Sequence, residues 1–375
     1  MASLGIGLVG SGFMGRAHAL AFRSVGGVFD LPAAPVLEIL ADIDAETAAR
    51  AAAALGFRRS TGDWRALVAD PAVDIVAVAA PNALHGPVSL AAIAAGKPVY
   101  CEKPLATGLA EAETMARAAE KAGVVTLVGF NYLRNPMIAL AREIVASGEI
   151  GEVTGFRGIH AEDYMADPAT PWSWRCDPAQ AGGALADIGS HIISMARHLL
   201  GEIEAVCGRL DTVHRRRPIA RGGTGTREVT VDDQAHALIR FAGGASGTLS
   251  ASWVATGRKM QLAFEVTGTR GAIEFTQERL NELKLHKAGG PKGRDGFTLI
   301  CAGPDHPDYG AFCPAPGHQL GFNDLKVIEA RTLVEAVAGT GRAWPDFREA
   351  CEVERVVEAI RRSSAEGRWV PLREA

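Results

Sequence analysis

A glycine-rich hexapeptide near the N-terminus constrains the fold of this chain more than any other feature. Gly10-Ser11-Gly12-Phe13-Met14-Gly15 follows a short apolar run, Leu4–Val9, and precedes a helical pattern. In such a strand–loop–helix unit, the glycines permit a tight turn, backbone approach to a pyrophosphate and close helix packing, and the helix N-terminus faces the phosphates. The pattern predicts a dinucleotide-binding loop made by Gly10, Gly12, Phe13, Met14 and Gly15; a purely structural glycine turn is the alternative.

The first 130 residues alternate short apolar runs with alanine-rich helical stretches, which is typical of parallel βαβ units. The predicted strands are Leu4–Val9, Val36–Ala41, Val73–Ala79, Val99–Cys101 and Val124–Val128, and the predicted helices between them include Ala45–Leu55, Leu84–Ala95 and Leu109–Ala122. We therefore expect an α/β Rossmann domain with a parallel sheet over residues 1–130.

After about residue 150 the pattern becomes rich in β-strands joined by glycine-containing turns, which indicates a large, open, mostly antiparallel sheet. The expected strands are Val153–Arg157, Ala235–Phe241, Ser246–Val254, Leu262–Val266 and Ala272–Phe275, and the expected helices are Ala184–Leu200, Asp324–Ala338 and Arg348–Ser364. We expect residues 131–375 to form an α+β substrate and oligomerisation domain whose last helices pack back on the Rossmann domain.

Composition narrows the classes of function. The formal net charge of −4 over 375 residues argues against general binding to nucleic acid or to a membrane surface. A local basic run, His214–Arg217, is interpreted as a solvated loop. Six scattered cysteines form no C-x-x-C pair, so no metal site is predicted, and reduced thiols in a cytoplasmic protein are expected. No apolar stretch has the length of a membrane-spanning helix.

The residue that ends the second predicted strand indicates which nicotinamide cofactor binds. Asp42 stands there, and a carboxylate accepts hydrogen bonds from the ribose hydroxyls but repels a 2′-phosphate. No arginine follows at the next two positions. NAD is therefore expected as the cofactor. The alternative for Asp42 is a helix N-cap, a role for which Asp44 is better placed.

Two further segments carry candidate catalytic groups. Lys103, in Glu102-Lys103-Pro104, follows the fourth predicted strand, at the carboxyl edge where ligands of parallel sheets bind. Asp187 and His191 stand four residues apart and share one face of the predicted long helix. A satisfied core histidine is the alternative for His191. With an acid beside it and a lysine and a nucleotide loop in the same chain, a proton relay is the better interpretation.

These segments together resemble the glucose–fructose oxidoreductase/inositol dehydrogenase (Gfo/Idh/MocA) family along essentially the whole chain. The matching stretches are Gly10–Gly15, Pro81–His85, Glu102–Pro104, Gly183–His191 and Ser363–Val370. The resemblance implies that Lys103, Asp187 and His191 are catalytic. It also implies that Pro81, Asn82, His85, Glu102 and Lys103 belong to the cofactor side. Many members carry Asp three residues after the histidine, whereas this chain has Ser194.

Within that family the chain is similar to members that oxidise scyllo-inositol and L-glucose, on the stretches Glu162–Pro168, Pro171–Arg175, Ala311–Ala315, Gly317-His318 and Ala343–Phe347. Oxidation of a cyclic polyol or sugar hydroxyl is expected, with levoglucosan or a glycoside as alternative substrate. A non-catalytic, NAD-bound sensor is the alternative from another class. The candidate substrate ligands are Lys103, Asn131, Tyr164, Arg175, Asp187, His191 and His318. For Tyr164 and Asn131, ordinary loop packing fits about as well.

The resemblance also implies a homo-oligomer, with a tetramer as the expected form. Assembly is expected through the open face of the C-terminal sheet, where Leu249, Trp253 and Phe264 would otherwise form an exposed apolar patch.

Overall fold

The computed structural model describes residues 2–373, which divide into two compact units. Unit 1 contains the residues up to Arg134 together with Gly321–Glu352, and unit 2 contains Asn135–Leu320 together with the residues from Val353 on. No helix within residues 2–373 combines the length and the apolar character needed to cross a bilayer.

The strands, in chain order, are β1 (Ala2–Val9), β2 (Ala33–Ala41), β3 (Arg59–Thr61), β4 (Ile75–Val78), β5 (Val99–Cys101), β6 (Thr126–Val128), β7 (Val153–Ala161), β8 (Ile203–Asp211), β9 (Arg216–Pro218), β10 (Thr226–Glu228), β11 (Gln234–Phe241), β12 (Ser246–Ser252), β13 (Gln261–Gly268), β14 (Gly271–Thr276), β15 (Glu282–Lys287), β16 (Thr298–Cys301) and β17 (Val370–Pro371). The α-helices are α1 (Phe13–Val28), α2 (Ala45–Leu55), α3 (Trp64–Ala69), α4 (His85–Ala94), α5 (Leu109–Ala122), α6 (Pro136–Ala146), α7 (Ser190–Leu200), α8 (Tyr309–Phe312), α9 (Phe322–Val337) and α10 (Phe347–Glu366).

Unit 1 is built on a six-stranded sheet with the order β3-β2-β1-β4-β5-β6, and all its pairs are parallel. Every residue of β4 and β5 is buried, as expected for strands covered on both faces. This strand order is that of a dinucleotide-binding Rossmann fold, and it confirms the predicted α/β domain. Helix α9 packs against α1 in the same unit.

Unit 2 is built on a nine-stranded sheet with the order β16-β15-β14-β13-β7-β12-β11-β8-β17. All neighbours are antiparallel except β7 and β12, which are parallel. Buried and more exposed side chains alternate along β11 and β13, so one face of these strands is covered and the other is open. The predicted large, mostly antiparallel sheet is confirmed.

The apolar residues that we expected on the open sheet face lie elsewhere. Leu249, Trp253 and Phe264 are 5%, 0% and 3% exposed, and α7 packs against β7, β12 and β13 on the covered face. The open face instead carries charged pairs across neighbouring strands, such as Arg157 with Glu265 at 3.4 Å. The argument from an exposed apolar patch is therefore wrong, because strand alternation turns Leu249 and Phe264 inward and Trp253, just after β12, is buried.

The basic run His214–Arg217 is also not a uniformly solvated loop. Arg215 and Arg216 are exposed, but the Arg217 side chain is fully buried. Its guanidinium donates to the carbonyl oxygens of Met165 at 2.7 Å and Asp167 at 3.1 Å. The Asp233 carboxylate lies 3.6 Å away and also accepts from the Trp253 indole N–H at 2.7 Å. Arg217 therefore anchors the segment that follows β7.

Replacing Arg217 with methionine is expected to destabilise the protein by about 3–5 kcal/mol, because it leaves Asp233 as an uncompensated buried charge. Arg216→Met is the matched control, since its exposed guanidinium bonds only exposed atoms of Thr226 on the neighbouring strand, and it should cost less than about 1 kcal/mol. Chemical denaturation of both variants measures the difference. Equal stability of the two would contradict the anchoring role of Arg217.

Candidate functional site

Two glycines of the Gly10–Gly15 loop leave no room for a side chain, and the third faces open space. Gly10 has a φ of +95°, and a Cβ there would lie 2.6 Å from the Ala79 carbonyl oxygen. A Cβ on Gly15 would lie 2.1 Å from the Gly10 carbonyl oxygen, so this glycine permits close helix–strand packing. Gly12 faces open space at the N-cap of α1.

The N-terminus of α1 suits an anionic ligand. No side chain caps it and its first turn holds no acidic residue, so backbone N–H groups are offered to the loop. Phe13 is 74% exposed and stacks on Phe322 with ring centroids 5.7 Å apart, while Met14 is half-buried. The open space at Gly12 and these N–H donors fit the pyrophosphate of a dinucleotide.

Asp42 stands directly after β2 and is tied to the glycine loop. Its Oδ2 accepts from the backbone N–H of Ser11 at 2.9 Å and from the Ser11 hydroxyl, and its Oδ1 accepts from Ile43 N–H at 2.7 Å. Asp44, and not Asp42, is the N-cap of α2, as expected: it accepts a hydrogen bond from Thr47 N–H at 2.7 Å. The Asp42 carboxylate therefore stands beside the glycine loop, a suitable place for binding ribose.

The segment after β4 holds Pro81, which is exposed, and Asn82 and His85, which are buried. The His85 ring lies between two backbone carbonyls, with Nδ1 2.7 Å from Pro104 O and Nε2 3.0 Å from Ala80 O. Burial lowers the pKa of His85, which favours the neutral ring. His85 thus connects the loop that follows β4 with the Glu-Lys-Pro turn that follows β5.

Glu102 and Lys103, the two residues after β5, differ in the burial of their side chains. Glu102 is 4% exposed, and its Oε1 accepts from His18 and from Lys326, each at 2.7 Å. Burial alone would raise the pKa of Glu102, but the Lys326 ammonium and the His18 hydrogen bond bring that pKa well below its usual range. Lys103 is half-buried at the carboxyl edge of the sheet.

Asn131 follows β6 at the same edge of the unit 1 sheet. It is 2% exposed, and within residues 2–373 no group accepts a hydrogen bond from its Nδ2. A buried amide donor of this kind is costly unless a ligand or water satisfies it. The Asn131 amide can therefore donate a hydrogen bond at this edge, and its role as a substrate ligand stays a prediction.

In unit 2 the structure brings Tyr164, Arg175 and Asp187 together. The Tyr164 hydroxyl donates to Asp187 Oδ2 at 2.9 Å, and Arg175 Nε donates to the same oxygen at 3.1 Å. The Arg175 guanidinium also lies over the rings of Tyr164 and Trp174, at 5.5 and 4.4 Å from their centroids. Burial raises the pKa of Tyr164 above its ordinary value, so the hydroxyl stays protonated and can donate.

The segment that carries Asp187 and His191 is not the continuous α-helix that we predicted. Leu185–Gly189 is π-helical, and α7 begins at Ser190. Such π-turns are frequent at functional sites. His160 lies beside the turn, with Nδ1 2.8 Å from the Ile188 carbonyl oxygen and its ring centroid 5.5 Å from that of His191. Ser194 is buried one turn further on.

Asp232 holds the beginning of this π-helical turn. Its Oδ2 accepts from Leu185 N–H at 2.7 Å, and its Oδ1 leaves no room for a side chain at Gly183, where a Cβ would lie 2.3 Å away. Burial raises the pKa of Asp232 from 3.8 to about 6, against the opposing effect of Arg361 and with a further rise from Asp233. Gly183, at a φ of +111°, is therefore needed both for its backbone conformation and for space.

His318 lies on an exposed loop between α8 and α9 and stays a prediction as a substrate ligand. Sequence reasoning missed His18, His160, Asp232 and Lys326, all buried polar side chains. Within one sequence, a buried lysine looks like any surface lysine on a helix. Only Asp232, in an Asp232-Asp233 pair before an apolar strand, offered a visible signal.

Comparisons with known proteins agree with this fold. Residues 4–130 match the model of an oxidoreductase family with an NAD-binding Rossmann fold, and residues 138–274 match the GFO/IDH/MocA C-terminal domain. Levoglucosan dehydrogenase of Pseudarthrobacter phenanthrenivorans is 40% identical over 99% of both chains. A solved levoglucosan dehydrogenase in complex with NADH and levoglucosan has a TM-score of 0.95 at 40% identity, covering 99% of this chain and 100% of that one. The scyllo-inositol 2-dehydrogenase of Bacillus subtilis is 29% identical over 76% of this chain and 73% of its own.

Asp232→Asn is expected to remove a pH-dependent loss of stability. Because folding raises the pKa of Asp232 from 3.8 to about 6, its favourable contribution is complete below pH 3.8 and is lost as the pH rises through about 6. The asparagine oxygen can still accept from Leu185 N–H. The Tm of the variant minus that of the wild type should therefore increase from about pH 4 to about pH 7.

The exposed Asp305 provides the control, since Asp305→Asn should leave the corresponding difference nearly constant. A difference for Asp232→Asn that stays flat with pH would contradict the assignment.

Proposed function

Because the chain belongs to the Gfo/Idh/MocA family of NAD-binding oxidoreductases, we propose that it is a dehydrogenase that oxidises a secondary hydroxyl of a pyranose sugar or cyclic polyol. The observation that carries the proposal is the arrangement at the carboxyl edge of the unit 1 sheet. There, Lys103 and the buried Asn131 amide follow strands of the same sheet as the glycine loop. Ligands of such sheets bind at this edge.

The NAD cofactor, when bound, supplies the acceptor for the hydride that leaves carbon. The glycine loop and the α1 N-terminus would hold its pyrophosphate, and Asp42 its ribose. For Lys103 we assign stabilisation of the oxygen that gains negative charge, since a fixed ammonium favours an alkoxide. Asn131 would donate a hydrogen bond to a substrate oxygen.

For unit 2, His191 is assigned as the base that accepts the hydroxyl proton at a ring nitrogen, a role that suits an imidazole. Asp187 is assigned as a hydrogen-bond acceptor for the substrate, held in place by Tyr164 and Arg175. His160, against the π-helical turn, and Asp232, at its start, would keep the backbone that carries both residues in place.

Levoglucosan is our first candidate substrate, and scyllo-inositol and L-glucose follow. This order reverses the one expected from sequence, because the relative named for levoglucosan is 40% identical along the whole chain and the relative named for scyllo-inositol is 29% identical along a shorter part. Oxidation of another pyranoside, or a non-catalytic NAD-bound sensor, would be the competing assignments.

We further propose assembly into a homotetramer through the open face of the unit 2 sheet. That face carries the exposed Leu238 and the cross-strand pairs of Arg157 with Glu265 and Lys284 with Glu274. Light scattering that shows a monomer at micromolar concentration would contradict it.

Incubated with NAD⁺ and a panel of alcohols, the protein should reduce the cofactor fastest with levoglucosan, scyllo-inositol or L-glucose, measured by NADH absorbance. Replacing NAD⁺ with NADP⁺ should slow the reaction, since the Asp42 carboxylate repels a 2′-phosphate. Faster turnover with simple aliphatic alcohols or 2-hydroxy acids would contradict the proposal. Tight NADH binding without turnover of any sugar would favour the sensor.

Lys103→Met and His191→Asn should each lower kcat by about 10²- to 10⁴-fold, the usual contribution of a general base or of a group that stabilises developing negative charge. Neither side chain belongs to the glycine loop, so NADH affinity measured by fluorescence should change little. The exposed Lys121 on α5 supplies the matched control, and Lys121→Met should keep wild-type kcat. Near-normal turnover in both catalytic variants would show that these residues are structural.

A further inference from the structure

Five ionisable side chains form a buried cluster behind the Glu-Lys-Pro turn, all within unit 1. They are His18 on α1, Tyr100 and Glu102 at the end of β5, and Lys326 and Glu329 on α9; we call them the Lys326 cluster. Each is at most 4% exposed.

Lys326 is the centre of this cluster. Its Nζ donates to Glu102 Oε1 at 2.7 Å, to Glu329 Oε2 at 2.8 Å and to the Tyr100 hydroxyl oxygen at 3.0 Å. These three bonds use all the donors of an ammonium group. The Tyr100 hydroxyl in turn donates to Glu329, and the His18 ring bonds Glu102.

The charges of the cluster are set by burial and by each other. Burial and the Lys326 ammonium lower the pKa of His18, which keeps its ring neutral. Burial alone would lower the pKa of Lys326, but Glu102 and Glu329 raise it above its ordinary value. One ammonium therefore faces two carboxylates. Lys326 supplies the positive charge that offsets the repulsion between Glu102 and Glu329.

Stability alone is a poor explanation for such a cluster. Removing several charged groups from water costs most of what their attraction returns, and well-packed apolar residues in their place often stabilise a protein equally well. What a buried ion pair does supply is a fixed geometry between the elements that carry its members.

Those elements all border the proposed cofactor and catalytic region. Phe322, Lys326 and Glu329 stand at i, i+4 and i+7 on one face of α9, and Phe322 stacks on Phe13 of the glycine loop. The Glu102 carboxylate also fills the space over Gly129, where a Cβ would lie 2.6 Å from it. Gly129 in turn stands two residues before Asn131.

We propose that Lys326 is a positioning residue that holds Glu102, and with it the backbone of Lys103, in register with α1 and the segment after β6. This inference rests on the role that the proposed function gives to Lys103. Lys326 acts through Glu102 and is not itself a catalytic residue, because it is 1% exposed.

Lys326→Met tests the proposal through a pH profile. Without the ammonium, the buried carboxylates of Glu102 and Glu329 repel each other with no cation between them, so they should share a proton at low pH. As the pH rises, loss of that proton would displace the turn, and kcat should fall by about 10²-fold relative to the wild-type profile. The other groups that face Glu102 or Tyr100 are His18, His85 and Arg134.

NADH affinity, measured by fluorescence without substrate, is the second readout and should weaken over the same pH range, because Phe322 and His18 join the cluster to the nucleotide loop and its helix. Arg117→Met is the matched control: it removes an exposed cation paired with Glu113 on α5 and should leave both profiles unchanged. A Lys326→Met enzyme that is less stable but keeps the wild-type kcat profile and NADH affinity would overturn the proposal.

The double variant Lys326→Met/Glu329→Gln keeps the test decisive if the single variant does not fold. It removes one positive and one negative charge and so preserves the net charge of the cluster. It should lack the new pH dependence but show a kcat lowered by about tenfold at every pH, because Glu102 has lost its anchor. Wild-type kcat in the double variant would overturn the proposal.

The activities of Lys103→Met and of the Lys326 variants distinguish the positioning role of Lys326 from the proposed role of Lys103. If Lys103→Met turns over normally, the role of Lys103 fails whatever Lys326 does. If Lys103→Met is inactive while both Lys326 variants keep wild-type kcat and NADH binding, only the positioning inference fails.

Discussion

The candidate site of unit 1 depends on one constraint: four parallel strands, β1, β4, β5 and β6, end in register. Val9 pairs with Val78, Val78 with Cys101, and Cys101 with Val128. The residues that follow these strands therefore lie side by side at one edge, among them Gly10, Glu102 and Gly129. Crowding there explains the glycines: a Cβ on Gly10 would meet Ala79 O, and one on Gly129 would meet the Glu102 carboxylate. Backbone N–H groups and a few polar side chains thus occupy the edge where a dinucleotide binds.

In unit 2, the candidate site depends on a carboxylate, Asp187, and an imidazole, His191, that lie on a buried helical segment. Asp187 is 7% exposed and would be costly without partners, and Tyr164 and Arg175 supply them. Arg217 and Asp233 form a second buried ion pair, and Arg217 bonds the carbonyl oxygen of Met165, the residue after Tyr164. The position of Tyr164, and through it that of Asp187, therefore depends on this ion pair. Such supporting contacts fix the geometry that substrate recognition needs.

Much of the fold could be predicted because local patterns and tertiary structure agree. The bounds of α2, α5 and β5 match the prediction, since alanine-rich stretches ended by glycine and a short apolar run are locally consistent. The short β3, α3 and β16 carry too few residues for a periodic signal. The π-helical turn could not be predicted from spacing, because Asp232, far along the chain, determines how the helix begins. The same reason hid the burial of Arg217 and Lys326: their partners are distant in sequence.

Transfer of deuterium tests the central claim, direct hydride transfer from a sugar carbon to NAD, most directly. Levoglucosan deuterated at its ring carbons would be incubated with the protein and NAD⁺, and the reduced cofactor would be analysed by mass spectrometry. The account predicts that the NADH formed carries deuterium and that it forms more slowly than with unlabelled sugar. Reduced cofactor without deuterium, or none at all with any sugar of the panel, would contradict it.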